Sequence, residues 1–415
     1  MIENGARPAS RMPLHALLAA EAVSGVGNKL SALAVPWFVL ETTGSAAQTG
    51  LVGVVTVGSL IVSAFFSGLL VDRLGFKRTS IVSDILSGVT VAAIPLLHTT
   101  IGLAFWQLLL LVLIGTVLDA PGRTARQSLF PDVALSSGVR LERANAAAQT
   151  IWRLSFLLGP PLGGVLIGLI GTSNVLWLDA ASFAVSSLLV GLALPADRRP
   201  RTPNGPSRDG RVLTDLVEGL RFLRADRLLW LLTISSTAGN ALGGALNAVI
   251  LPVFALSAFG NASALGLMLG AFGAGALAGA VLYGLIGYRY SKRSVFIVTG
   301  VVSVAPIWIL ATTPSLAIAV TALAIRGLTA GPYGPIVSTL YQQRIPVDQR
   351  ARFFGAILAA DNASTPLAIL AAGLLLDATN VTTALIVVGV TALILKLSVA
   401  TRPVLRQMDE ASDTA

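Results

Sequence analysis

Gly68-Leu69-Leu70-Val71-Asp72-Arg73-Leu74-Gly75-Phe76-Lys77-Arg78 joins two long apolar runs, 46–71 and 79–97. A short, charged, glycine-containing segment between runs of membrane length has to reverse the chain sharply at a lipid surface. The same frame returns later in the chain. About 216 residues downstream, Pro36, Phe38, Leu40 and Gly44 meet Pro252, Phe254, Leu256 and Gly260. Without a gap, Gly50, Leu51, Gly68, Arg73 and Lys77 then meet Gly266, Leu267, Gly284, Arg289 and Arg293. The second copy of the loop is degenerate, with Tyr288 in place of Asp72 and Ser291 in place of Gly75. One half is therefore a diverged copy of the other, which in a membrane protein marks two bundles that rock about a site between them.

Composition agrees. The chain is 54% hydrophobic and 12% charged, with a mean hydropathy of +0.79, too apolar for a soluble globular protein of this length. Twelve runs are long enough to cross a hydrocarbon core of roughly 30 Å, at about 20 residues each. They lie near 14–40, 46–71, 79–97, 101–120, 144–170, 174–195, 228–256, 262–287, 293–312, 315–341, 351–376 and 381–401. An all-α integral membrane protein is expected, with twelve transmembrane helices in two pseudo-symmetric six-helix bundles.

A net charge of +9 invites a nucleic-acid reading, but the distribution of the charge opposes it. Arg73, Lys77, Arg78, Arg123, Arg126, Arg140 and Arg143 read as residues of alternate loops, as do the cluster from Arg198 to Arg227 and Arg289, Lys292, Arg293, Arg344, Arg350 and Arg352. The intervening loops, near 41–46, 98–100, 171–173, 257–261, 313–314 and 377–380, have no Lys or Arg. This asymmetry predicts a plasma-membrane protein with both termini cytoplasmic, the excess charge serving topology and lipid headgroups. Residues 12–22 resemble a signal peptide, but the apolar run continues to Leu40, so a retained first helix is expected. The absence of cysteine excludes disulfides and thiolate chemistry.

The expected organisation is an N-terminal bundle over 1–195, a cytoplasmic linker over 196–227, a C-terminal bundle over 228–401 and a cytoplasmic tail over 402–415. Residues 196–211 are rich in Arg, Pro and Gly. After them Val212, Leu213, Leu216, Val217, Leu220 and Leu223 recur at helical spacing beside Asp215, Glu218, Arg221 and Arg224. An interfacial amphipathic helix fits that pattern, as does a plain connector.

Polar groups inside a bilayer need a partner or water. The candidates are Glu21 and Lys29 (first helix), Asp84 (third), Arg153 (fifth), Asp179 (sixth), Arg326 (tenth) and Asp361 (eleventh). Four acids against three bases favour mutual pairing in a central cavity. Glu21 lies roughly 10 Å into its helix, with Arg153 and Arg326 near mid-depth. Glu21, Ser24, Gly25 and Asn28 share one helical face, and Asn240, Gly243, Gly244 and Asn247 form a comparable stripe on the seventh helix. Tight packing through small residues and cavity lining both account for these stripes. A carboxylate in such a place can take up a proton and release it on charge pairing; a purely structural salt bridge from Glu21 to Arg153 or Arg326 is the competing reading. Asn145, Gln149 and Arg153 step by four along the fifth helix, and Trp37, Trp106, Trp152 and Trp308 are further cavity candidates.

Gly159-Pro160-Pro161-Leu162-Gly163-Gly164 follows on the same helix. Pro160 removes a backbone donor and kinks the helix, and the glycines admit a close neighbour. This stretch resembles the Gly-Pro-x-x-Gly-Gly core of the antiporter signature of the major facilitator superfamily, although Ala146 and Ser155 stand at two of its glycine positions. The opening loop resembles that family's Gly-x-x-x-Asp-Arg-x-Gly-Arg-Lys link between helices two and three, with Phe76 replacing an arginine. Asp119-Ala-Pro121-Gly122-Arg123, Arg126-Gln-Ser-Leu-Phe130-Pro131-Asp132 and Trp177-Leu-Asp179-Ala-Ala-Ser182-Phe183 look like the twelve-helix branch that holds enterobactin exporters and macrolide efflux proteins. The Arg-x-x-Gln-Gly signature of many proton-coupled exporters is missing from helix four, where only Gln107 is comparable.

The resemblance implies a latch in which Asp72 meets the start of helix eleven, with Gly68, Gly75, Arg73, Lys77, Arg78 and Asp119 completing it. Positive-inside anchoring alone explains Arg73, Lys77 and Arg78. The resemblance further implies export of small amphipathic molecules, drug-like or siderophore-like, by alternating access with proton antiport and without a cofactor; a monomer is expected. Glu21, Asn28, Lys29, Gln149, Arg153, Asn240, Arg326 and Asp361 are the substrate or proton-coupling candidates. Uptake or exchange of a metabolite or lysolipid is the alternative. An intramembrane enzyme is remote, because His15 and His98 lie at opposite helix ends and no metal-ligand set exists. No nucleotide-binding loop and no filter-like loop of a channel appears.

Overall fold

The computed structural model describes residues 10–194, 212–312, 315–345 and 350–410, all of them helix or short connection without a strand. The Arg- and Pro-rich linker stretch and the surroundings of Gly68 and Asp72 lie outside the described residues. The helices are α1 (Met12–Thr43), α2 (Ala46–Leu74), α3 (Phe76–Thr100), α4 (Phe105–Ser136), α5 (Leu141–Ile170), α6 (Thr172–Ala193) and α7 (Val212–Ala225). They continue with α8 (Arg227–Phe259), α9 (Ala262–Ile286), α10 (Lys292–Thr312), α11 (Leu316–Arg344), α12 (Arg350–Ala378) and α13 (Val381–Ala400). Eleven are long and apolar enough to cross a membrane. α2 has 29 residues and no charge before Asp72 and covers the expected apolar run 46–71; α7 is the amphipathic exception.

Turn chemistry sets the reversals. α1 ends at Gly44 and α8 at Gly260, both at φ 66°, a left-handed conformation that a side chain disfavours. These glycines occupy equivalent positions of the two sequence copies, so the repeat extends to backbone dihedrals. Gly75, at φ 80°, joins α2 to α3. Its counterpart Ser291 has φ −57° and instead accepts a hydrogen bond from the Ser294 amide at the start of α10.

The chain forms two compact units, Met1–Phe38 with Val55–Pro203, and Val39–Val54 with Asn204–Ala415. In the first, α3 buries a polar stripe of Ser80, Ser83, Asp84 and Ser87, while Val82, Ile85, Leu86 and Val89 are exposed. Lipid rewards the apolar side, and small polar groups let helices approach and bond across their interface. Gly88 accordingly faces Phe183 and the Ala180 carbonyl of α6, and Gly122 faces Ser83. On α5, Gly159 accommodates the stem of Lys29 and Gly163 sits against Leu30, so the glycines of the Gly-Pro motif receive α1.

In the second unit α9 and α11 meet backbone to backbone. A Cβ at Gly275 or Gly279 would run into the carbonyls of Ala324 and Leu328, and one at Gly327 or Gly331 into those of Phe272 and Ala276. These are reciprocal small-xxx-small pairs. α8 contains a π-helical turn at Leu246–Ile250, a device frequent at functional sites. Residues 39–54 count with this unit, where Asp377 accepts from the Ala46 amide and the Ser45 hydroxyl, both at 2.8 Å.

Leu223, Leu228, Leu229, Leu232, Leu340, Leu405 and Met408 belong to one buried hydrophobic core of this unit. α7 is thus not only a connector, since its Leu223 is fully buried there. The expected tail is partly folded as well: Arg344 pairs with Asp226 at 3.1 Å and donates to the Gln407 carbonyl. Asp409 accepts from the Ser291 hydroxyl at 2.7 Å.

Candidate functional site

The first unit carries a buried charge cluster centred on Arg126. Its Nη1 donates to both oxygens of Asp84, at 2.8 and 2.9 Å, and its Nε to Glu21 at 3.1 Å. Ser80 accepts from Nη1 at 3.2 Å, and the Ser186 hydroxyl donates to Asp84 at 2.7 Å. Helices α1 and α3 therefore meet the guanidinium of α4 directly, and α6 joins the cluster through Asp84. The Arg126 and Asp84 side chains are 1% and 0% exposed, whereas that of Glu21 is 28% exposed. Two carboxylates share one arginine, and Glu21 is the partly exposed member.

This arrangement corrects the sequence reading twice. Arg123 and Arg126 are not loop residues, because α4 runs to Ser136 rather than ending near residue 120. The partner of Glu21 is Arg126 rather than Arg153 or Arg326. Arg153 and Gln149 lie on an exposed stretch of α5. Beside neighbouring arginines Arg126 has the sequence signature of a headgroup anchor; its place on a helix that reaches to Ser136, with Glu21 and Asp84 as partners, is a tertiary fact.

Asp179 is 1% exposed and accepts from the Ser31 and Ser182 hydroxyls. Among the described residues no cation pairs with it. Gly27 leaves the space that Asp179 and Ser182 fill. Asn28 is half-buried, and Lys29 places its ammonium 5.0 Å from the Phe156 ring centre. Of the expected latch, Asp119 pairs with Arg123 on its own helix at 3.1 Å. Lys77 donates to the Leu194 carbonyl at the end of α6, while Arg73 and Arg78 are exposed. The expectation of mutual pairing among the seven intramembrane charges fails as well, since Arg126 takes Glu21 and Asp84, and Asp361 takes neutral donors.

In the second unit Asp361 accepts from Thr237 and Asn240, each at 2.8 Å. Asn240, Gly243, Gly244 and Asn247 line a cavity of about 370 Å³ together with Arg326 and Lys396. Arg326 lies 5.0 Å from the Phe272 ring centre, and Lys396 lies 5.1 Å from that of Tyr333. Lys396 was absent from the sequence candidates, although it is the single charge in the apolar run Val381–Ala400. Of the tryptophans, Trp37 is packed in a core and Trp106 and Trp152 are exposed; Trp308 packs on Gly389.

Comparison with known proteins identifies the family. The sequence profile of the Major Facilitator Superfamily matches residues 17–246 and 234–410. The chain is 30% identical over 409 residues to the multidrug efflux pump Tap of Mycolicibacterium fortuitum, covering 97% of this chain and 98% of that protein. It is 31% identical over 412 residues to Tap of Mycobacterium tuberculosis, covering 98% and 97%. Macrolide efflux protein A of Streptococcus pyogenes is 21% identical over 372 residues, with coverage of 88% and 90%. The crystal structure of the nucleoside transporter NupG superposes with a TM-score of 0.76 at 13% identity, covering 95% of this chain and 98% of that one. An inward-facing bacterial homologue of the lysosomal transporter Spinster gives 0.69 at 16% identity, covering 99% and 98%, and likenesses this remote speak to fold alone. The chain is a multi-pass membrane transporter rather than an enzyme, and it belongs to the major facilitator superfamily.

Proposed function

We propose that this protein exports small amphipathic molecules from the cytoplasm by alternating access, exchanging them for protons. The observation that carries the reading is the Arg126 cluster: one buried guanidinium shared by a sealed carboxylate, Asp84, and a partly exposed one, Glu21. Protonating Glu21 removes its attraction to Arg126 and leaves the Asp84–Arg126 pair neutral. Re-forming the Glu21–Arg126 contact expels the proton. Such a group gives a conformational equilibrium a reason to depend on protonation. The similarity to the multidrug efflux pump Tap supports efflux as the direction, and the charge asymmetry of the loops supports cytoplasmic termini. Asp179, buried among hydroxyls, is the second candidate for a proton carrier. A monomer suffices for this mechanism.

Inside-out vesicles with an imposed acidic lumen test the proposal. Adding a panel of cationic dyes, macrolides, siderophores and lysolipids should alkalinise the lumen for at least one compound, and Glu21→Gln should abolish that response. Alkalinisation that survives in Glu21→Gln would remove Glu21 from the coupling route. Its absence with every compound, in tight vesicles containing folded wild-type protein, would overturn proton-coupled export.

A further inference from the structure

The cavity of the second unit has an electrostatic imbalance that neither its fold nor the Arg126 cluster accounts for. Among the described residues, Arg326 and Lys396 both line it and no Asp or Glu does. The Arg326 Nη1 atom is buried and has no hydrogen-bond partner among the described residues. Both cations lie over aromatic rings, Phe272 and Tyr333, contacts that soften a charge without neutralising it. The nearby carboxylate, Asp361, is occupied by Thr237 and Asn240 and is not part of the lining. Two cations held in a low-dielectric pocket without an anion are costly. A ligand that supplies the anion recovers that cost.

We propose that this cavity is a binding site for the anionic oxygen group, carboxylate or phosphate, of an amphipathic molecule, held between Arg326 and Lys396. The guanidinium presents a planar fork suited to two carboxylate or phosphate oxygens, and the lysine supplies a mobile second charge. Gly300 leaves room for the Lys396 stem, and Ile307, Val388 and Leu395 provide apolar wall for the rest of the molecule. A volume of about 370 Å³ suits a bicyclic acid. The assignment rests on the export reading for its meaning: it makes acidic and zwitterionic amphiphiles substrates alongside cationic ones. The same chemistry has a second source in the headgroup of an anionic phospholipid.

The test is direct binding of radiolabelled 2-naphthoxyacetate, its uncharged methyl ester and 2-naphthylethylammonium to purified full-length protein in phosphatidylcholine nanodiscs. The acid should bind at least about tenfold more tightly than the ester or the amine. Arg326→Gln and Lys396→Gln should each erase that preference while ester binding stays the same. If Arg326→Gln does not elute as a folded species, Lys396→Gln alone decides. Equal binding of acid, ester and amine, or an acid preference that persists in the folded variants, would overturn the site.

Replacing phosphatidylcholine by phosphatidylglycerol separates the two sources. Weaker acid binding there supports the site with lipid as a competing occupant; unchanged binding supports it with substrate alone. Efflux of ethidium and of the vesicle panel (cationic dyes, macrolides, siderophores and lysolipids) from proteoliposomes runs in parallel. Efflux without acid-selective binding removes the site and leaves export standing, whereas acid-selective binding without efflux of any compound keeps the site and removes export.

Discussion

At the scale of single residues the decisive one is Arg126. A guanidinium 1% exposed survives inside a helical bundle because two carboxylates and two serines receive its protons. Breaking a buried pair leaves an uncompensated charge, which costs more than the pair itself contributes. Asp84→Asn should therefore destabilise the protein by about 3 kcal/mol, seen as a lower apparent melting temperature of the detergent-purified protein. The double variant Asp84→Asn/Arg126→Gln, in which neither charge is stranded, should recover part of that loss. An Asp84→Asn protein as stable as wild type would mean that Glu21 alone satisfies Arg126. Glu21 and Asp84 were legible as sequence candidates because carboxylates in apolar runs are conspicuous. Their partner was not, because an arginine close to the end of an apolar run has the same local signature whether it anchors at the headgroups or turns inward.

Helices in lipid gain little from burying apolar surface against each other, so close approach of small residues has to hold them. The α9–α11 pair shows this most plainly, with Gly275 and Gly279 facing Gly327 and Gly331 across touching backbones. Gly279→Leu would drive a side chain into the Leu328 carbonyl and should abolish recovery of folded protein. Gly284→Ala, on the same helix with nothing within 4 Å, should be recovered at wild-type yield, and fluorescence-detected size exclusion of tagged variants compares the two. The small-xxx-small spacing of each helix is visible in sequence, but which two helices share it is not. α7 teaches the converse: its amphipathic period was plain, yet the destination of Leu223, a cluster shared with Leu340, Leu405 and Met408, depends on segments more than a hundred residues away.

For the whole molecule, the lack of cysteine makes topology directly measurable. Single cysteines at Ile101, which is 77% exposed, and at Arg402 should react differently with a membrane-impermeant maleimide. Ile101→Cys should label in intact cells, and Arg402→Cys only after permeabilisation; the reverse pattern would invert the orientation argued from loop charge. The sequence by itself determined the membrane-spanning class, the positions of the long apolar helices and the internal repeat. All three follow from local quantities: the length of apolar runs, the chemistry of turns such as Gly44 and Gly260, and the spacing between copies. Only the tertiary structure decided which charges face each other, that Glu21 and Asp84 share Arg126 while Arg326 and Lys396 share a cavity without an acid. Hydropathy reports what each segment pays to enter lipid, whereas pairing depends on helix rotation and neighbour identity, which no single run of sequence encodes.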